Sequence, residues 1–136
     1  AAKSYTTGSL GTFVTTSYQS SGTVNLTIPD GNNSGVTSTI NVSGSNTIEA
    51  LQIKLNVTHA YSGDLAVELT SPAGTTSVLL TPFNSFLSGD NYTNLVLASN
   101  AFYGESTAGN WTVRLIDGST PDQGGLVNWS IRFFGH

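Results

Sequence analysis

The sequence predicts an all-β domain, a two-sheet β-sandwich or jelly roll of about eight short antiparallel strands. Only 9% of the residues are charged, and Gly, Ser, Thr and Asn are abundant, a composition that favours strands and turns over surface helices. Apolar and polar residues alternate in several runs, and no stretch has the i, i+3, i+4 spacing of an amphipathic helix. Turn residues separate these runs at short intervals, as they do in sandwich folds.

The predicted strands follow from this alternation. The clearest covers residues 51–57, where Leu, Ile, Leu and Val alternate with Gln, Lys and Asn, so that one face is apolar. Trp111 and Trp129 lie within other predicted strands and are expected to belong to the core, with each indole N–H bonded to a neighbour. The full set of predicted strands is 22–28, 37–42, 51–57, 65–69, 76–80, 94–97, 110–116 and 127–134.

The length and composition predict one domain. A chain of 136 residues with 38% hydrophobic residues is large enough to bury its own core without a metal or a disulfide. Residues 1–12 are small and polar, so we expect a linker or leading segment there and the β-sandwich over 13–136.

Charge and cysteine content exclude several classes of function. The net charge is −4, and the basic residues Lys3, Lys54, Arg114 and Arg132 do not cluster in the sequence. Nucleic-acid binding needs clustered cations, and binding to a membrane surface needs a basic amphipathic helix, so we expect neither. The absence of cysteine excludes disulfides, thiolate metal sites and a cysteine nucleophile.

No catalytic residue is predicted. His59 is expected to bond a loop, and His136, the last residue of the sequence, to be solvated. No G-x-S-x-G motif marks one of the many serines as a nucleophile, and nothing pairs two carboxylates across a cleft.

Calcium is a candidate cofactor, because acidic residues lie in several predicted loops. Calcium binds carboxylate and carbonyl oxygens from irregular loops, although none of these loops has EF-hand spacing. The same aspartates can instead cap turns through their side chains. The candidate ligands are Asp30, Asp64, Asp117 and Asp122.

Three ordered motifs resemble a known family. The segment from His59 to Thr75 has the pattern H-x-Y-x-G-D-L-x-V-x-L-x-S-P-x-G-T. Residues 104–113 have the pattern G-E-x-x-x-G-x-W-T-V, and residues 124–135 combine Gly-Gly-Leu, Trp-Ser-Ile and a closing Phe-Gly. Over residues 22–135 the sequence thus resembles the P domain (Homo B domain) of kexin- and furin-like proprotein convertases and related secreted bacterial proteases. One departure is that residues 97–101 lack the acidic turn of many bacterial members, which weakens any cation site at that place.

The resemblance implies a non-catalytic C-terminal accessory domain of a secreted protease, most simply a subtilisin-like serine protease. Such a domain packs against the catalytic domain of its parent chain and stabilises or regulates it. The alternatives are a structural spacer and a substrate-binding module, for a protein such as collagen or for a polysaccharide.

Loop aromatics are the candidate contact residues for such a partner, because exposed aromatic side chains often mark binding surfaces. The alternative is that these side chains close the ends of the sandwich. The candidates are Phe83, Phe86, Phe102 and Tyr103.

Overall fold

The computed structural model describes residues 13–29, 34–58, 65–81, 91–118 and 124–136. Within these ranges there is no helix, and so none that is long and apolar enough to cross a membrane. The described ranges contain ten strands: β1 (Val14–Thr15), β2 (Gln19–Ser20), β3 (Leu26–Ile28), β4 (Val36–Val42), β5 (Ile48–Thr58), β6 (Leu65–Thr70), β7 (Thr76–Leu80), β8 (Tyr92–Ser99), β9 (Gly109–Asp117) and β10 (Gly124–Gly135).

The strands form two antiparallel sheets, which confirms the predicted sandwich. The six-stranded sheet has the order β1-β10-β5-β8, and β2 and β3 also pair with β10. The four-stranded sheet has the order β4-β9-β6-β7. The two sheets pack face to face, so alternate residues of each strand point into a shared core.

All eight predicted strands are present, with changes at their ends. The first is shorter than predicted, since β3 begins only at Leu26. Gly22 and Asn25 have positive φ angles of 70° and 45°, which interrupt an extended strand before that point. The prediction that residues 1–12 are a linker lies outside the described residues.

Two strands, β1 and β2, were not predicted, and they share a role with β3. All three pair one after another with β10, at Val14–Gly135, Ser20–Ser130 and Leu26–Leu126. The chain therefore follows the edge of β10 in three short pieces. This arrangement leaves less of that edge free to pair with another chain.

The core confirms the alternation seen in the sequence. Leu51, Ile53, Leu55 and Val57 of β5 are all buried, while the residues between them are partly exposed. Each such side chain contributes about 1.5–3 kcal/mol when fully buried. The buried side chains that face them from the other sheet include Ile40, Leu65, Val67, Leu69, Trp111, Val113 and Leu115.

Trp129 links the two sheets by a buried hydrogen bond. It lies on β10 of the six-stranded sheet, and its indole Nε1 donates to Ser38 Oγ on β4 of the four-stranded sheet, 2.9 Å away. Trp129 and Ser38 are 1% and 8% exposed, so water does not readily replace either partner. The expectation that this tryptophan belongs to the core and bonds through its N–H is confirmed.

We expect Ser38→Ala to lower the free energy of unfolding by about 1–3 kcal/mol, because it leaves the buried indole N–H without an acceptor. Urea denaturation measures this change. The double variant Ser38→Ala/Trp129→Phe removes both polar partners, so the effects of the two single changes should not add. Additive effects would mean that the hydrogen bond does not contribute to the free energy of unfolding.

Candidate interaction surface

The motif that begins at His59 is only partly within the described residues. Residues 59–64, including His59 and Asp64, lie outside them. The second half forms β6 and the turn after it, where Ser71 N donates to Thr75 O at 2.8 Å and Gly74 N to Ser71 O at 2.9 Å. This half of the motif therefore builds a hairpin.

The turn after β6 contacts the second motif. Gly109 begins β9 with a φ of 121°, and a Cβ built on it would lie 2.7 Å from Pro72 Cβ. Glycine is required at this position both by its backbone angle and by the proline ring beside it. Two motifs that are distant in the sequence thus meet in a structural contact.

The Gly-Glu pair of the second motif is tied to the start of β5. Gly104 N donates to Ile48 O at 2.7 Å, and Ile48 N donates to Glu105 O at 2.8 Å. Glu105 N also donates to Phe102 O, 3.1 Å away, which closes the turn between β8 and β9. The described parts of both motifs therefore hold loops and strands together.

The structure separates the two adjacent aromatic candidates. Phe102 is completely buried, and its ring packs edge-to-face on Trp111 with a centroid distance of 5.2 Å. Phe102 therefore agrees with the alternative that these side chains close the ends of the sandwich, because the turn at residues 101–104 directs its side chain into the core, where a partner does not reach it. Tyr103, directed the other way, is 64% exposed. Phe83 and Phe86 lie outside the described residues.

Asp117 is the one calcium candidate within the described residues. It is the last residue of β9, it pairs with Leu65 of β6, and it is completely buried. Asp117 is not without a partner, because it takes part in at least one polar or electrostatic interaction within the chain. Among the described residues there is no group of three acidic, His or Cys side chains that could hold a metal ion. Calcium stays a prediction, and Asp30, Asp64 and Asp122 lie outside the described residues.

His136 is paired, contrary to the expectation that it is simply solvated. Its ring Nδ1 lies 3.1 Å from Glu49 Oε2, and its side chain is 19% exposed. Its backbone N and O also bond Thr47 O and N, at 3.0 and 2.7 Å. The pair ties the last residue of the sequence to the start of β5.

Two basic residues meet on the outer face of the six-stranded sheet. Lys54 Nζ lies 4.1 Å from the centre of the Tyr18 ring, and Arg132 Cζ lies 4.6 Å from it. Arg132 Cζ also lies 5.2 Å from the centre of the Phe134 ring. Both distances to Tyr18 are within the range of a cation–π interaction. We call Tyr18, Gln52, Lys54, Arg132 and Phe134 the cation–aromatic patch.

Gln52 fixes the geometry of this patch. Its Oε1 accepts a hydrogen bond from Arg132 Nε at 2.9 Å and from the Tyr18 hydroxyl at 3.4 Å. Gln52 and Arg132 are also directly opposite each other in the pairing of β5 with β10. One amide oxygen therefore orients both the cation and the ring.

Sequence reasoning missed this patch. Gln52 and Arg132 are 80 residues apart, and the four basic residues do not cluster along the chain. The sequence does contain one signal, the alternation of apolar and polar residues, which places the polar residues of β5 and β10 on the outer faces of their strands. This alternation does not show which strands are neighbours in the sheet.

Comparison with known proteins gives consistent results. Residues 48–133 match the family model of the proprotein convertase P-domain. The chain is 33% identical, over an alignment of 144 positions, to the Aeromonas extracellular serine protease of Aeromonas sobria, covering 80% of this chain and 23% of that protein. It is 34% identical over 97 residues to human proprotein convertase subtilisin/kexin type 5, covering 66% of this chain and 5% of that protein.

A solved structure has the same fold. In the crystal structure of the Aeromonas sobria serine protease in complex with its chaperone, 28% of the protease chain matches 99% of this chain, with a TM-score of 0.85 and 28% identity. This chain thus spans between one twentieth and just over a quarter of the proteins it is compared with. The family model covers more than half of the chain, and its match includes most of the motifs described above. The chain belongs to the proprotein convertase P-domain family.

Proposed function

We propose that this chain is a non-catalytic accessory domain of a secreted, subtilisin-like serine protease, and that it stabilises or regulates the catalytic domain through an interdomain surface. The observation that carries this proposal is the match of nearly the whole chain to about a quarter of a bacterial serine protease. A second protease, the human convertase, supports it through a similar stretch of sequence. The A. sobria relative is named as extracellular, which supports secretion.

The architecture supports a role through a surface. The described parts of the family motifs form a hairpin turn, a close glycine–proline contact and a tie between loops. These contacts stabilise the domain itself. A stable domain that is covalently linked to a catalytic domain can stabilise it, because their contact surface is lost when the catalytic domain unfolds.

Deleting this domain from its parent protease tests the proposal. We expect the truncated protease to unfold at lower temperature, or to accumulate less active enzyme, than the full-length protease. Thermal unfolding should be followed with the catalytic nucleophile replaced in both proteins, so that self-digestion does not contribute. A truncated protease with the same melting temperature and the same activity on a soluble peptide as the full-length enzyme would rule the proposal out.

The same deletion distinguishes the substrate-binding alternative. A substrate-binding module would leave the melting temperature and the hydrolysis of a soluble peptide unchanged. It would lower the activity only on an insoluble substrate such as collagen, because its contribution is to concentrate the enzyme on that surface.

A further inference from the structure

The cation–aromatic patch is a local concentration of positive charge on an acidic domain. The chain has four basic residues and a net charge of −4, and two of the four, Lys54 and Arg132, share the Tyr18 ring. Arg114 lies instead on the four-stranded sheet, directly opposite Glu68 of β6. The patch therefore has a sign opposite to that of the domain as a whole.

Both cations of the patch have hydrogen-bond donors that no described residue uses. Within the described ranges, Arg132 uses its Nε to bond Gln52, whereas its terminal nitrogens and Lys54 Nζ have no acceptor and no carboxylate beside them. Both side chains are half-buried and held over rings. Since they are already ordered, little side-chain entropy is lost when an anion binds. The two terminal nitrogens of a guanidinium present a planar pair of hydrogen-bond donors to a carboxylate.

The surroundings of the patch are apolar on two sides. Val96 of β8, directly opposite Lys54, is 44% exposed, and the Phe134 ring lies beside Arg132. Arg and Tyr beside exposed apolar side chains are typical of the centre of protein–protein interfaces. Cations that have no carboxylate partner in the described part of the chain, and that lie next to apolar surface, fit a ligand that offers both carboxylates and aliphatic groups.

The charge balance selects the kind of anion. A polyanion such as a sulfated polysaccharide or a nucleic acid carries charge over a long distance, and the acidic domain around the patch would repel it. A protein segment with one or two carboxylates is affected mainly by the patch itself, because the other charges of the domain are screened beyond about 10 Å.

We propose that the cation–aromatic patch is a protein-docking surface that binds the side-chain carboxylates of an acidic peptide segment. Arg132 and Lys54 provide the donors, Tyr18 and Gln52 hold them in place, and Val96 and Phe134 contact the aliphatic part of the segment. This inference depends on the residues of the patch alone. It and the proposed function can therefore fail separately.

The test is an NMR titration of the labelled 136-residue chain with an acetylated peptide of Ser and Leu residues that contains two Glu residues. We expect the amide signals of residues 18, 52–54, 96 and 130–134 to shift, and a matched peptide with Gln in place of Glu to shift none of them. Arg132→Gln and Lys54→Gln should each weaken binding at least about tenfold, the effect of losing one close charge pair. Lys54 Nζ lies over the Tyr18 ring and makes no hydrogen bond to any described residue, so Lys54→Gln keeps the test valid even when Arg132→Gln alters the fold.

Arg114→Gln is the matched control, because it removes the same charge from the other sheet. It should change the affinity by less than about twofold, as expected for a charge beyond the screening distance. Equal weakening by Arg114→Gln would mean that net charge, and not the patch, binds the peptide. Tighter binding of a heparin-derived oligosaccharide than of the Glu peptide, or no binding of the peptide at millimolar concentration, would overturn the proposal.

Discussion

Replacing Trp111 by alanine is expected to lower the free energy of unfolding by about 3–5 kcal/mol. The indole is completely buried between the sheets, 5.2 Å from the ring of Phe102 and 5.2 Å from that of Phe133. Its Nε1 also donates to Thr107 O at 2.8 Å. Alanine leaves a cavity at the point where a turn and both sheets meet. A domain of this size has only about 5–15 kcal/mol of stability in total, so the variant loses a large fraction of it.

Urea denaturation followed by far-ultraviolet circular dichroism measures this loss. Trp111→Phe keeps most of the buried area and loses the hydrogen bond, so it should cost less than the alanine variant. Tyr103→Ala is the control for an aromatic residue of the neighbouring turn, and should change stability by less than about 0.5 kcal/mol because its side chain is exposed. If the Ala and Phe variants were equally stable, the buried ring at position 111 would not contribute to the stability of the domain.

Gly109→Ala is expected to destabilise the domain by about 1–3 kcal/mol through its backbone angle alone. A φ of 121° is one that residues with a Cβ rarely adopt. The added methyl would also lie 2.7 and 2.8 Å from Pro72 Cβ and Cγ, so either β9 or the turn after β6 has to shift. Because β9 is a central strand of its sheet, a shift there disturbs its pairing with both β4 and β6.

Two further variants separate the causes of this effect. Gly44→Ala is the matched control, because nothing lies within 4 Å of its added Cβ, and it should have little effect. Pro72→Ala in the Gly109→Ala background removes the Cγ contact, so it should restore part of the stability if the ring contributes. Thermal unfolding of the four proteins measures both effects. A Gly109→Ala domain as stable as the Gly44→Ala domain would show that the position does not need glycine.

Much of the fold was predictable because strand alternation is a local property. The alternating residues of β5 are buried on one side as predicted, and both tryptophans lie in the core with their N–H groups bonded. The short strands β1 and β2 were not predictable. They contain two residues each, and pairing with β10, more than 100 residues further along the chain, defines them.

The candidate site was less predictable than the fold. Aromatic residues in a predicted loop suggest exposure, but a turn directs neighbouring side chains in different directions, so Phe102 is buried while Tyr103 is exposed. The residues that meet in the cation–aromatic patch come from β5, β10 and the connection between β1 and β2. No local pattern links them.

The sequence alone determined the fold class, most strand positions and the family. These depend on residue alternation, turn residues and motif spacing, which are properties of short segments. Only the tertiary structure decided that Pro72 lies against Gly109, that Phe102 is core, and that Lys54 and Arg132 share the Tyr18 ring. The physical reason is that the order of strands in a sheet is set by the packing of the whole chain, and that order places distant residues side by side.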